Sequence, residues 1–327
     1  MFGGGSQLNT ISSRLGGLLI DVSLKSAAKL GKYSPKGRTL RSELRVTSDL
    51  QYVDGSNEIH HRLDVIRSER FSGPRPICIY IHGGGFRILS KDSHWMMSAF
   101  LAHQGFCVFS LNYGLAPKYR FPEGLADVLA AVEWVADHAS EYGGDVDQIF
   151  IAGESAGANL SCGVTLAHCV KSNWKPAARV YERSLSIKAV SPACGFLDVS
   201  HPERFDVMEP PIRKLYRDRM KIICNSYVDE TRAREMFASP LLWFESDAKP
   251  DRPLPPIFVG CGSADPVVDD SRRFAKALKK RGLDHEYVEY ENAIHAFQAF
   301  FWQSQAKQFW HDQGQFVRRF MDDLVVE

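Results

Sequence analysis

The chain has 327 residues, 44% hydrophobic and 24% charged, with a net charge of +1. That is enough chain to bury a full core in one large domain or two modest ones, with the composition of an ordinary soluble fold and no basic field to hold nucleic acid. Seven cysteines, odd in number and without a C-x-x-C pair, argue against a disulfide framework and for a reducing compartment, so a cytoplasmic protein is expected.

Ile11, Leu15, Leu18, Leu19 and Val22 recur at helical spacing and predict an amphipathic helix within residues 1–42. The amino terminus has neither a basic n-region nor a clear cleavage site, and no stretch approaches the roughly 18 apolar residues of a membrane span. From Glu43 the texture changes: "LRVTSDLQYV" and "HHRLDVIR", parted by "DGSN", predict an antiparallel hairpin at a sheet edge. Unalternated apolar runs follow at "ICIYIH" (77–82), "CVFSLN" (107–112), "QIFIAG" (148–153), "IKAVSP" (187–192) and "PIFVGCG" (256–262). Such runs belong to strands of a parallel sheet covered on both faces. The stretches "GLADVLAAVEWVADHASEYG", "AGANLSCGVTLAHCV" and "SRRFAKALKKRG" supply helices between them, the last ending at Gly282 behind a basic turn. Alternation of this kind predicts an α/β protein with a mostly parallel, doubly wound sheet. Between 195 and 252 the rhythm breaks into "EPP", the helical "IRKLYRDRMKIICNSYV" and "KPDRPLPP", which predict a helical insertion over the carboxyl edge of the sheet. The expected division is an amino-terminal cap segment (1–42), a core in two parts (43–194 and 253–327) and the cap insertion (195–252).

"GESAG" (153–157) directly follows an apolar strand and precedes a helix. This is the setting of a G-x-S-x-G nucleophile elbow, where glycines on either side clear space for a sharply turned serine. Serine attack on a carbonyl creates an oxyanion, which backbone N–H groups stabilise strongly. "IHGGGF" (81–86) supplies such groups without side chains in the way, and Ala156 adds one from the start of the helix after Ser155. The serine needs a base and the base an orienting carboxylate. His295 lies in a loop between "HEYVEYE" and the last helix, and Asp265 stands just beyond "PIFVGCG"; Asp269 and Asp270 better suit the start of the following helix. The order Ser155, Asp265, His295 is that of α/β-hydrolases. Activity on this scheme rises with pH through roughly 6 to 7 as His295 loses its proton. His82 is expected to hydrogen-bond the glycine loop, with Glu154 supporting the elbow from behind.

No metal site is expected: His60 and His61, like His168 and Cys169, are adjacent and cannot both face one ion from a regular strand or helix, and no H-E-x-x-H occurs. With no phosphate loop and no G-x-G-x-x-G turn, no cofactor is expected either.

Together these motifs resemble the hormone-sensitive-lipase-like esterases, a branch of the α/β-hydrolases. The likeness runs from about residue 45 to the end and includes "NYGLAPKYRFPEGLAD" (112–127), "SADPVVD", "ASPLLW" and "IHAF". It implies an α/β-hydrolase fold, Ser155 as nucleophile, His295 as base, Asp265 as its orienter, and Gly84, Gly85 and Ala156 as oxyanion donors. It further implies a small-molecule partner, a short- to medium-chain carboxylic ester, cleaved under a lid of amino-terminal helices and a later insertion. Departures are Glu154 for the commoner aspartate, Ala158 for a glycine and Gly114 for the usual arginine, the last leaving the local salt-bridge network unassigned. An acyltransferase or thioesterase would share the acyl-enzyme, and plant hormone receptors of similar sequence have lost the catalytic histidine, which His295 retains. Phe196, Phe205, Trp243 and Phe244 are candidates either for an apolar acyl pocket or for ordinary lid core.

Overall fold

A computed structural model describes residue 38 and residues 41–207 and 212–325. The amphipathic helix expected near the amino terminus lies outside the described residues. An eight-stranded sheet runs through the molecule in the order β1-β2-β4-β3-β5-β6-β7-β8. Strands β1 (Leu44–Gln51) and β2 (Arg62–Ser68) form the antiparallel edge hairpin, and β2 meets β4 (Cys107–Leu111) antiparallel. From β4 onward the pairing is parallel, through β3 (Arg75–Ile81), β5 (Gly144–Glu154), β6 (Ile187–Ala193), β7 (Ile257–Gly262) and β8 (His285–Tyr290).

The central strands are apolar on both sides because helices cover both faces of the sheet. In β3, Ile77, Ile79 and Ile81 enter one core cluster, while Cys78 and Tyr80 enter another. The first cluster takes in helices α2 (Glu123–His138), α3 (Ala156–Cys169), α4 (Lys175–Glu182) and α7 (Val268–Lys280). The second takes in α1 (Trp95–His103) and α8 (Ser304–Val317). Helix α1 carries no readable amphipathic period because its surroundings are protein on most sides: seven of its nine residues are buried. Helix α3, directly after the elbow, is buried along its whole length.

Segment 195–252 carries α5 (Ile212–Tyr227) and α6 (Pro240–Glu245). Met220, Ile223, Cys224 and Tyr227 turn one face of α5 inward, and the Tyr227 ring stacks on Phe86 of the glycine loop at a centroid distance of 3.6 Å. Asp270, in the first turn of α7, does not cap its helix as the sequence suggested. Its buried carboxylate instead accepts the N–H groups of Leu197 (2.8 Å) and Asp198 (3.1 Å) and pairs with Arg204, tying this segment to α7. Trp243 and Phe244 belong to the packing of α6 on α7, Phe244 meeting Phe274 at 4.8 Å and Trp243 lying under Arg281.

Phe309 of α8 sits 1% exposed among Phe258, Tyr290, Phe297 and Trp310. Phe309→Ala is expected to cost about 3–5 kcal/mol of stability, read as a lower urea midpoint at unchanged m-value.

Candidate active site

The carboxyl ends of the parallel strands bring together the residues singled out by sequence. Strand β5 ends at Glu154 and the chain turns at Ser155 with φ 57° and ψ −115°, a conformation that L-residues seldom adopt. The turn is possible because Gly153 and Gly157 have no side chains. A methyl group at Gly153 would come within 2.6 Å of the Gly157 carbonyl oxygen, and one at Gly157 would strike the carbonyl oxygens of Ile81 and His82. The Ser155 backbone is held from both sides, its N–H donating to Ala193 O (3.0 Å) and its carbonyl accepting from Asn159 and Phe196 (3.2 Å each).

Ser155 Oγ lies 2.9 Å from His295 Nε2, and His295 Nδ1 lies 2.9 and 2.8 Å from the two oxygens of Asp265. Asp265 stands three residues beyond β7, where its Oδ1 also accepts the Val267 N–H at 2.9 Å. A carboxylate can only accept, so Nδ1 carries the proton, and Nε2 presents its lone pair to the serine hydroxyl. The Asp265 carboxylate is fully buried, whereas the His295 side chain remains 30% exposed. Burial alone would push the His295 pKa down, but the charge of Asp265 and its hydrogen bond outweigh this and hold it above the ordinary imidazole value. For a base at this position, a rise in activity is expected at higher pH than for an unperturbed histidine.

The glycine loop follows β3. Gly84 (φ 112°) and Gly85 (φ 61°) have backbones that L side chains resist, and a methyl group on Gly85 would lie 2.7 Å from Ile223 of α5. Gly83 spends its N–H on Glu154 Oε1 at 2.6 Å. Gly84 and Gly85 follow it in the loop, and Ala156 takes the first position of α3, directly after the serine. His82 Nδ1 lies 2.7 Å from Gly83 O, and its ring stacks on Tyr113, whose hydroxyl donates to His82 O at 2.7 Å.

Behind the loop is a polar group for which the sequence offers no local spacing signal. Glu154 is buried, its Oε1 meeting His94 Nε2 at 2.7 Å and its Oε2 accepting the Tyr80 hydroxyl at 2.6 Å. Burial disfavours both charges, yet each sustains the other: Glu154 is held below the usual carboxylate range and His94 above the usual imidazole value. The carboxylate thus fixes the first amide of the glycine loop and is itself fixed by an imidazolium from the start of α1.

His60 and His61 do not lie in a regular strand or helix. They occupy the 3-10 turn Ile59–His61 that leads into β2, with ring centroids 4.2 Å apart. Among the described residues, no helix is long and apolar enough to cross a membrane.

A mostly parallel sheet with a strained serine at the end of β5 and a histidine and aspartate arriving from the last two strands defines the α/β-hydrolase class. The chain belongs to the hormone-sensitive-lipase-like family of that class, residues 78–299 matching the family described as alpha/beta hydrolase fold. Esterase LipQ of Mycobacterium tuberculosis is 32% identical over 259 residues, 77% of this chain; the match spans 57% of LipQ's length. Carboxylesterase NlhH of the same organism is 28% identical over 262 residues, 79% of this chain and 77% of NlhH. Among solved structures, the esterase of the archaeon Pyrobaculum calidifontis superposes with a TM-score of 0.70 at 24% identity, covering 90% of each chain, a likeness of fold.

Glu154→Gln removes the counter-ion of His94, and breaking a buried pair in this way is expected to cost about 3–5 kcal/mol. The Glu154 contribution is present above the ordinary carboxylate pKa and is lost as pH falls through its depressed value. The His94 contribution is present below the ordinary imidazole pKa and is lost as pH rises through its raised value. Urea titrations of wild type and variant should therefore show their stability gap widest near pH 6 and narrowing as pH rises.

Proposed function

We propose that this chain is a serine carboxylesterase that hydrolyses small-molecule carboxylic esters, of short to medium acyl chain, through an acyl-enzyme. The observation that carries the reading is the unbroken hydrogen-bonded file from Ser155 Oγ through His295 to Asp265, with each link at 2.8–2.9 Å. The names of the relatives LipQ and NlhH, an esterase and a carboxylesterase, point the same way.

In the proposed mechanism the ester carbonyl enters between Ser155 and the glycine loop. Ser155 Oγ attacks the carbonyl carbon while its proton passes to His295 Nε2, and Asp265 stabilises the imidazolium through Nδ1–H. The amides of Gly84, Gly85 and Ala156 receive the negative charge that develops on the carbonyl oxygen. His295 returns the proton to the departing alkoxide, and a water activated by the same nitrogen then releases the acid. The segment 195–252 acts as a cap: Phe86, stacked against Tyr227, puts an apolar wall beside the glycine loop. The seven cysteines, all free and buried, support the reading of a protein of a reducing compartment.

A fluorophosphonate probe should label wild type at Ser155, and Ser155→Ala should abolish labelling and lower kcat by about 10⁶-fold, as for serine hydrolases whose triad acts as a unit. A variant within tenfold of wild-type turnover overturns the assignment. In kcat/KM against pH, the rising limb should lie above the ordinary imidazole pKa of about 6.5, because Asp265 holds the His295 proton. Asp265→Asn should move that limb down and cut the rate by about 10⁴-fold.

A further inference from the structure

Away from the proposed active site, one group of three metal-ligating side chains stands together among the described residues: His60, His61 and Asp127. The histidines come from the turn before β2 and the aspartate from α2, so the cluster joins the edge hairpin to a core helix. One donor atom from each residue lies within 4.8 Å of the others. His61 Nε2 is 3.2 Å from Asp127 Oδ1 and His60 Nε2 is 3.8 Å from Asp127 Oδ2. Two ligands of a tetrahedral zinc ion with bonds near 2.0–2.1 Å are themselves about 3.3 Å apart, so small side-chain shifts would place all three around one ion.

The outer atoms are arranged to the same end. His61 Nδ1 lies 2.5 Å from Ser56 Oγ, and His60 Nδ1 lies 3.5 Å from the Glu58 carboxylate. Acceptors at Nδ1 suit the tautomer in which Nε2 offers its lone pair to a metal. Facing a carboxylate, His61 Nε2 is the donor of its 3.2 Å contact with Asp127; a metal ion would displace that proton, and Ser56 Oγ and Glu58 stand ready to accept Nδ1–H in the metal-bound tautomer. Asp127 is positioned independently, its Oδ2 accepting the Gly114 N–H at 2.8 Å, in a space where a side chain on Gly114 would collide with that oxygen. The His60 ring is backed by Tyr119 at 4.3 Å and the His61 ring by Tyr52 at 5.7 Å. The three ligand side chains are 14–18% exposed, which leaves one flank open for ion entry and a water as fourth ligand.

We propose that His60 Nε2, His61 Nε2 and the Asp127 carboxylate bind a divalent transition-metal ion, zinc by the chemistry of two imidazoles and one carboxylate, as a clip between the β1–β2 hairpin and helix α2. The site is separate from the esterase chemistry and does not depend on it.

The test uses the full chain after chelator treatment, titrated with Co²⁺ and followed by its visible d–d absorption, then with competing Zn²⁺. Wild type should bind one equivalent of Co²⁺, lose the band to Zn²⁺, and gain about 3 °C or more in Tm once Zn²⁺ is about a hundredfold above Kd. Asp127→Asn, which keeps an oxygen for the Gly114 amide, and His61→Ala should abolish the band in protein whose circular dichroism matches wild type. Ser56→Ala, which removes only the outer partner of His61, should weaken binding by about 10–100-fold. His295→Ala should keep both the band and the Tm gain. A wild-type protein without a saturable cobalt band overturns the proposal, as does a band that survives Asp127→Asn or disappears with His295→Ala.

Discussion

The architecture depends on the close approach of two backbones, the end of β3 and the first turn of α3, with no side chain between them. Gly153 and Gly157 make that approach possible, since a methyl group at either would meet carbonyl oxygen. Because the two segments touch, the serine at the end of β5 and the glycine loop at the end of β3 occupy one small space. The donor array proposed for the oxyanion then needs no additional scaffold: it would be the amino end of a helix on one side and the bare amides of the neighbouring strand's loop on the other. The strain of Ser155, with φ at 57°, is borne by hydrogen bonds on both sides of the residue and by the complete burial of α3.

The same space is governed electrostatically from behind. Glu154 precedes the serine and takes the Gly83 amide, which commits the first donor of the loop to structure and leaves its successors as the proposed oxyanion donors. His94 and Tyr80 keep that carboxylate charged in a place where burial would otherwise neutralise it. A parallel arrangement holds the proposed base: Asp265 is fully buried and His295 is partly open, so the two members of the pair differ in their access to solvent.

Much of this was legible in the sequence because it depends on short-range signals. Unalternated apolar runs mark β3 to β7, the turn chemistry of "GESAG" marks the elbow, nearness to a strand end sets Asp265 apart from Asp269 and Asp270, and loop position and chain order single out His295. What was not legible rests on long-range meetings. His94 reaches Glu154 across sixty residues from a turn, and the helix that follows it, α1, is buried on nearly all sides, so no period betrays it. Asp270 sits where a helix-capping residue is expected, but its partners are Arg204 and two amides of the inserted segment. His60 and His61 escape an argument from regular geometry because they lie in a short turn before β2 and not in a strand or α-helix, with ring centroids 4.2 Å apart.

The Arg204 to Asp270 anchor has a mechanical meaning. Asp265 and Asp270 lie on one short rigid corner, the first directed at His295 and the second at the inserted segment. Loosening that segment at Arg204 also unloads the corner from which the imidazole is steered. On the proposed function, damage far from the serine at this anchor would thus register as misalignment of the proposed proton acceptor as well as altered access, coupling two properties that the chain keeps in separate stretches.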